Sequence, residues 1–289
     1  MTAWLLIAAG LLCLAGVAYW HLVLAEGAYL GPRVVRLLYD WSARYYDRLK
    51  GYQKPLEDLT LGIPFAARVG DDPAAWVLDV AVGTGRMPMS LFRQPAFRGR
   101  LVGIDISAPM LRRAARNLAA YRDRLALLRY DASRLPFDDG AFDAVSCIEA
   151  LEFFPEPMGA LREMVRVLKP GGALLFTNRI GYQARFLPGR TLPRQGVMER
   201  LSGLPLREVE VRSWEIDYDQ IWATRAGQVD GEPPDGPLRI NLPCSACGRR
   251  GLRLAGAAVR CEHCGADVSG GAPVIDLTRL ERDVARGER

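Results

Sequence analysis

The chain has 289 residues, 49% of them hydrophobic, enough for one α/β domain of about 200 residues with attachments at either end. Its formal charge of +5 is too small to choose between an anionic membrane surface and a nucleic acid. Six cysteines, four of them in two tight pairs near the C-terminus, do not make a secreted disulfide framework.

From Met1 to Ala25 no side chain carries a formal charge, and Trp4 to Leu24 is long enough as a helix to cross a hydrocarbon core of about 30 Å. The stretch reads as a transmembrane helix with Trp4, Tyr19 and Trp20 as interfacial aromatics. Val23-Leu24-Ala25 would also pass as a cleavage site, yet the basic leader of a signal peptide is missing. Arg33, Arg36, Arg44, Arg48, Lys50 and Lys54 all follow the apolar run. The positive-inside rule therefore predicts a single-pass protein of a bacterial inner or plasma membrane, its remainder facing the cytoplasm.

After an aromatic-rich juxtamembrane stretch (27–75), Trp76 to Val80 is an apolar run that ends in glycines and leads into the helix-compatible Met87 to Arg93. The unit recurs. Leu101 to Ile104 is a second predicted strand with Asp105 at its end, and Ser107 caps a helix through Leu118. Leu125 to Tyr130 is a third strand, ending at Asp131. Phe142 to Cys147 is a fourth, Met158 to Leu168 a helix, and Ala173 to Thr177 a fifth strand after the turn Lys169-Pro170-Gly171-Gly172. Strands alternating with helices predict a doubly wound, mostly parallel, Rossmann-like α/β sheet over 76–226. Leu206 to Val211 and Ile216 to Thr224 form an antiparallel pair that closes it at seven strands.

In such a sheet ligands bind outside the carboxyl ends of the strands. Gly83, Gly85, Asp105 and Asp131 all fall there. Glycines let a backbone approach a ligand closely, and a carboxylate about 20 residues on can accept hydrogen bonds from ribose hydroxyls. Twenty positions separate Gly85 from Asp105.

The ordered set Leu78-Asp79-Val80-Ala81-Val82-Gly83-Thr84-Gly85, Gly103-Ile104-Asp105-Ile106-Ser107, Asp131-Ala132 with Leu135-Pro136-Phe137 and Phe142-Asp143, and Arg166-Val167-Leu168-Lys169-Pro170-Gly171-Gly172 resembles the class I methyltransferases. Within them it resembles the branch that includes the ubiquinone and menaquinone biosynthesis methyltransferases, over about Tyr39 to Ala226. The resemblance implies S-adenosyl-L-methionine as cofactor. Asp79 and the glycine turn would hold its methionine portion, Asp105 its ribose, and Asp131 with Ala132 its adenine, with Ala81 and Ile106 also in contact. Tyr39-Asp40-Trp41 and Tyr45-Tyr46-Asp47 look like the segment that folds over the cofactor. Where the family usually has glycine this chain has Ala81, a substitution tolerated where φ is negative, though it narrows the approach.

Methyl transfer from a sulfonium is an in-line displacement that asks mainly for alignment. Glu149 and Glu152, after the fourth strand, are candidate bases for the acceptor's proton, although solvated loop carboxylates are the commoner outcome. The irregular stretch Gly181 to Pro205 fits an acceptor-binding lid.

Residues 227–240, rich in Gly and Pro, read as a linker. Beyond it Cys244-x-x-Cys247 and Cys261-x-x-Cys264, with 13 residues between the pairs, predict a zinc ribbon over 241–277, with rubredoxin-like iron as the runner-up. His263 is read as a bystander. A charged tail (278–289) ends the chain. The anchor favours a lipid-like or quinone-type acceptor drawn from the membrane. RNA or protein presented by the ribbon is the alternative, less favoured because no basic stripe interleaved with aromatics is present. A membrane scaffold that has lost catalysis is the third.

Overall fold

The computed structural model describes residues 2–228, 237–256 and 258–280. The central part of the linker (229–236) and most of the charged tail (281–289) lie outside them.

Helix α1 (Thr2–Tyr19) continues as a π-helical turn, Trp20–Leu24. Ala3–Leu24 forms one 22-residue stretch, none of it buried, long and apolar enough to cross a membrane, a property that signal sequences share. Its exit is pinned to the body. Glu26 and Gly27 turn the chain at φ 47° and 77°, Ala25 and Ala28 pack on Leu187, and the Tyr29 hydroxyl donates to the Pro188 carbonyl at 2.7 Å. Four short helices follow: α2 (Pro32–Ser42), α3 (Tyr46–Lys50), α4 (Lys54–Glu57) and, after a π-helical turn, α5 (Ile63–Val69).

The body is a sheet of β1 (Trp76–Val80), β2 (Arg100–Asp105), β3 (Leu125–Arg129), β4 (Phe142–Cys147), β5 (Leu168–Arg179), β6 (Leu206–Ser213) and β7 (Tyr218–Arg225). Between the strands run α6 (Arg86–Phe92), α7 (Ala108–Asn117) and α8 (Pro157–Val167). Pairing is parallel except where β7 runs against β5 and β6. Side chains alternate across the pleat, so Val77 and Leu101 enter one apolar layer with Phe65, Leu91 and Trp222, while Leu78 and Val102 enter the other with Leu161 and Val165. Burial on both faces is why the central strands read as unbroken apolar runs. Ser107 does cap α7, its hydroxyl accepting the Met110 N–H at 3.2 Å.

The predicted seven strands become eight. The C-terminal ribbon is a three-stranded antiparallel sheet of β8 (Leu238–Pro243), β9 (Arg250–Ala255) and β10 (Ala258–Cys261), and its following strand β11 (Ile275–Asp276) adds in parallel to the edge at β3. The order is β11-β3-β2-β1-β4-β5-β7-β6. Ile275 lies opposite Leu128, Asp276 pairs with Arg129 at 3.0 Å, and the Asn241 N–H donates to the Pro136 carbonyl at 2.7 Å. Leu252, Leu254 and Val259 share one apolar cluster with the layer that holds Leu78, Val102, Leu161 and Val165. The ribbon is thus welded to the body.

Candidate active site

The strand order reverses between β1 and β4, and an apolar-walled cleft of about 820 Å³, its open mouth included, lies above the carboxyl ends there. It is of a size for a nucleoside-bearing ligand. Ala81, Gly83, Asp105, Ile106, Asp131 and Ala132 all line it, as does Glu149; Pro32, Val35, Arg36, Tyr39 and Tyr46 close it from α2 and α3. Asp79, Gly83 and Glu149 line a smaller adjoining recess with Arg86 and Tyr52. Gly85 lies behind the turn.

The turn is held by its own geometry. Gly83 and Gly85 have φ 54° and 95°, and a Cβ on Gly85 would come within 2.8 Å of Leu118 Cδ1. Asp105 accepts the Gly83 N–H on Oδ2 and the Ser107 N–H on Oδ1, both at 2.8 Å. Each oxygen keeps a further lone pair for a ligand hydroxyl. The condition set for Ala81 is not met: its φ is +56°, a left-handed conformation that costs a residue with a Cβ about 1–2 kcal/mol. Glu149 is left-handed too, at φ 51°. Two such residues facing one cleft are where backbone strain marks function.

Electrostatically the floor is poised for a cation. Burial pushes the Asp79 carboxyl up to about 7, against a 2.6 Å hydrogen bond from the Ser146 hydroxyl and helped by repulsion from Asp105. Burial likewise lifts Asp105 to about 6, opposed by the backbone N–H groups of Ser107, Gly83 and Ile106 and reinforced by Asp40. At one wall the Arg86 guanidinium meets three carboxylates: Glu57 at 2.8 Å, Glu149 at 2.5 Å and Glu215 at 2.5 Å. It is stacked between Tyr52 and Trp214, whose centroids lie 4.8 and 4.5 Å away. Lys50 adds one more cation on Glu149. Counting formal charges, three carboxylates against two cations leave a surplus anion beside the recess.

Neither candidate base is a solvated loop carboxylate; both are buried. For Glu149, burial would raise the pKa, but Lys50 and Arg86 outweigh it and hold the carboxyl below its ordinary range, which makes it a weak proton acceptor. Burial wins at Glu152 and raises its pKa over the opposing pull of Arg179 and the Tyr218 hydroxyl. Glu152 does not line the cleft. It belongs to a second buried network in which the Tyr218 hydroxyl donates to Glu152 at 2.6 Å and Arg179 contacts Glu152 at 3.0 Å and Glu26 at 2.9 Å. Its Oε2 has no hydrogen-bond partner. The next residue, Phe153, lines the cleft and packs edge-on against Tyr39.

The juxtamembrane motif splits. Tyr39 and Tyr46 face the cleft, and burial holds both hydroxyls well above 10, as donors. Asp40 accepts the Ser107 hydroxyl at 2.5 Å, and Asp47 binds Arg113 at 2.8 Å, which tie the covering helices to α7. Trp41 and Tyr45 point to solvent. Sequence reasoning missed the Arg86 and Arg179 networks, whose members lie up to 153 residues apart; an isolated Glu or Arg gives no signal of such a partner.

In the ribbon the four Sγ atoms of Cys244, Cys247, Cys261 and Cys264 lie within 4.8 Å of one another. Cys244 to Cys264 is 3.8 Å and Cys247 to Cys261 3.7 Å, matching the roughly 3.8 Å edge of a tetrahedron with 2.3 Å metal–sulfur bonds. The donor set fits zinc. His263 instead hydrogen-bonds the Arg250 carbonyl at 2.8 Å.

Strand order, glycine turn and terminal carboxylates define a class I methyltransferase fold. Residues 78–176 match the family model described as a methyltransferase domain. The chain is similar over about half its length to demethylmenaquinone methyltransferases. That of Lactiplantibacillus plantarum is 34% identical over 148 residues, 49% of this chain and 60% of that protein. That of Symbiobacterium thermophilum is 35% identical over 143 residues, 49% and 57%. The ubiquinone/menaquinone biosynthesis C-methyltransferase UbiE of Hahella chejuensis is 41% identical over 103 residues, 35% and 41%. The chain thus spans at most three fifths of the length of these relatives. Among solved structures, the [4+2]-cyclase SpnF aligns with TM-score 0.55 and 21% identity over 68% of this chain and 98% of that one. A chain of the complex between the Haloferax volcanii Trm112 methyltransferase activator and a methyltransferase aligns with TM-score 0.52 and 21% identity over 65% and 98%. Both likenesses concern the fold.

Proposed function

We propose that the protein is a membrane-anchored methyltransferase that binds S-adenosyl-L-methionine in the cleft and methylates a quinone-type or other lipid-like small molecule at the cytoplasmic face. The observation that carries the reading is the pair of carboxylates, buried Asp79 and half-buried Asp105, at the β1/β4 reversal beside residues that match a methyltransferase domain. The cofactor supplies an electrophilic methyl on a sulfonium and is a net cation. Asp105 would receive its ribose hydroxyls, Asp131 and Ala132 its adenine, and Asp79 with the turn Ala81–Gly85 its methionine portion. Glu149 adds negative charge at the same end. Tyr39 and Tyr46 exclude water and orient the acceptor. Glu152 is the more basic of the two glutamates by its raised pKa and unpartnered oxygen, but it lies behind Phe153, so only Glu149 reaches the cleft directly. Zinc held by the four cysteines would have a structural part, since a closed set of four thiolates leaves no open position.

The lipid-like acceptor is supported by the names of the homologues and by the apolar N-terminal helix. Purified full-length protein would be incubated with methyl-labelled S-adenosyl-L-methionine and a bacterial membrane extract. The expected result is label in the solvent-extractable lipid fraction; label confined to RNA or protein would overturn the acceptor class.

A further inference from the structure

The helix that closes the cleft has a second face. On α2, Pro32, Val35, Arg36 and Tyr39 point into the cleft, while Arg33, Leu37 and Trp41, spaced four apart, point outward. Leu37 is 57% exposed, Trp41 74% and, further along, Leu49 75%, with Tyr45 beside them. An isolated exposed leucine is ordinary; an aligned run of Leu and Trp on a helix starting eight residues after the apolar span is not.

Charge sorts the same way. Between Glu26 and Asp58 the segment has five carboxylates, and every one is bound to the body: Glu26 to Arg179, Asp40 to Ser107, Asp47 to Arg113, Glu57 to Arg86 and Asp58 to Arg93. Arg33, Arg44, Arg48 and Lys54 are exposed and form no ion pair among the described residues. The outward surface is therefore cationic and apolar, with its anions turned inward. That is the make-up of an interfacial helix on an anionic leaflet.

We propose that the outer face of α2 and the following turn, centred on Leu37, Trp41, Arg33, Arg44 and Arg48, lies in the headgroup layer of an anionic bilayer. The mouth of the cleft, walled by the opposite face of α2, is thereby held at the membrane surface. The proposal rests on the anchor reading above and adds to it a second contact.

The test uses full-length protein carrying p-benzoylphenylalanine in place of Leu37 or Trp41, reconstituted in vesicles of phosphatidylcholine alone or mixed equally with phosphatidylglycerol. Leu12, in the apolar helix, reports insertion; Asp123, at the amino-terminal end of the sheet, reports background. The expected result is lipid adducts from positions 37 and 41 in the mixed vesicles, well above position 123. Adducts should fall about fivefold for each of Arg33→Gln, Arg44→Gln and Arg48→Gln. Adducts from position 12 but none from 37 or 41 would overturn the surface and leave the anchor standing. Absence of adducts from position 12 would overturn the anchor, with the surface then judged by 37 and 41 alone. Cross-links from 37 or 41 to a second copy of the chain would assign the face to self-association and overturn the proposal.

Discussion

If Asp79, near the end of β1, serves a ligand and not the fold, as proposed, Asp79→Asn separates the two roles. In the folded protein its carboxyl titrates near 7, against an ordinary value of 3.8. A carboxylate whose pKa is raised on folding destabilises the native state as pH rises: the cost is absent below about 4, grows between 4 and 7, and is complete above 7. An elevation of roughly three pH units corresponds to about 4 kcal/mol at most. Asparagine resembles the protonated acid and carries no such cost. Without ligand, Asp79→Asn should therefore raise Tm by several degrees at pH 8 and by only about a quarter as much at pH 4.5. At the same time it should lower affinity for S-adenosyl-L-methionine by about tenfold or more, because a charged acceptor contributes roughly 1.5–3 kcal/mol that a neutral amide does not. Scanning fluorimetry at the two pH values, with and without cofactor, reads both effects. A variant less stable than the parent at pH 8 would refute the reasoning.

Ala81→Gly relieves a left-handed alanine of about 1–2 kcal/mol while adding about 0.5–1 kcal/mol of unfolded-state entropy; a small rise in Tm and tighter cofactor binding are expected, and a lower Tm would show that Ala81 is not strained. Cofactor affinity, measured from pH 8 to 5, should fall as Asp105 and Asp79 protonate below about 6 and 7; flat affinity across that range would remove both from the cation site. Chelation, or Cys261→Ser with Cys264→Ser, should lower Tm and also weaken cofactor binding, because β11 braces β3, whose end leads into Asp131 and Ala132. Loss of stability alone, with affinity kept, would confine the ribbon to an autonomous role.

What the sequence discloses and what it hides follow one physical line. Phe142–Cys147 and the Ser107 cap are legible because apolar runs and short-range hydrogen bonds are written in adjacent residues. The strand predicted over Ala173–Thr177 extends to Leu168–Arg179, with Lys169–Gly172 bulging out between the Phe142–Leu168 and Ala144–Ala173 pairs with β4. β11 is only Ile275–Asp276, too short for periodicity, and is made a strand by the β3 edge it covers. At the site, the glycines and terminal aspartates were visible because a turn demands particular residues at fixed offsets. Burial of Glu149 and Glu152, and the guanidinium each one meets, depends on tertiary approach across 63 and 27 positions, and no local pattern encodes it. The φ of Ala81 was likewise set by the fold around it and not by its type.

The central claim is that the β1/β4 cleft is a cofactor site. Calorimetric titration of S-adenosyl-L-methionine into the full-length protein, alongside Asp105→Ala, tests it most directly. The account predicts saturable binding near one equivalent, lost or weakened about tenfold or more when Asp105 no longer offers its carboxylate. No detectable binding to the parent protein, or equal affinity in Asp105→Ala, would contradict it.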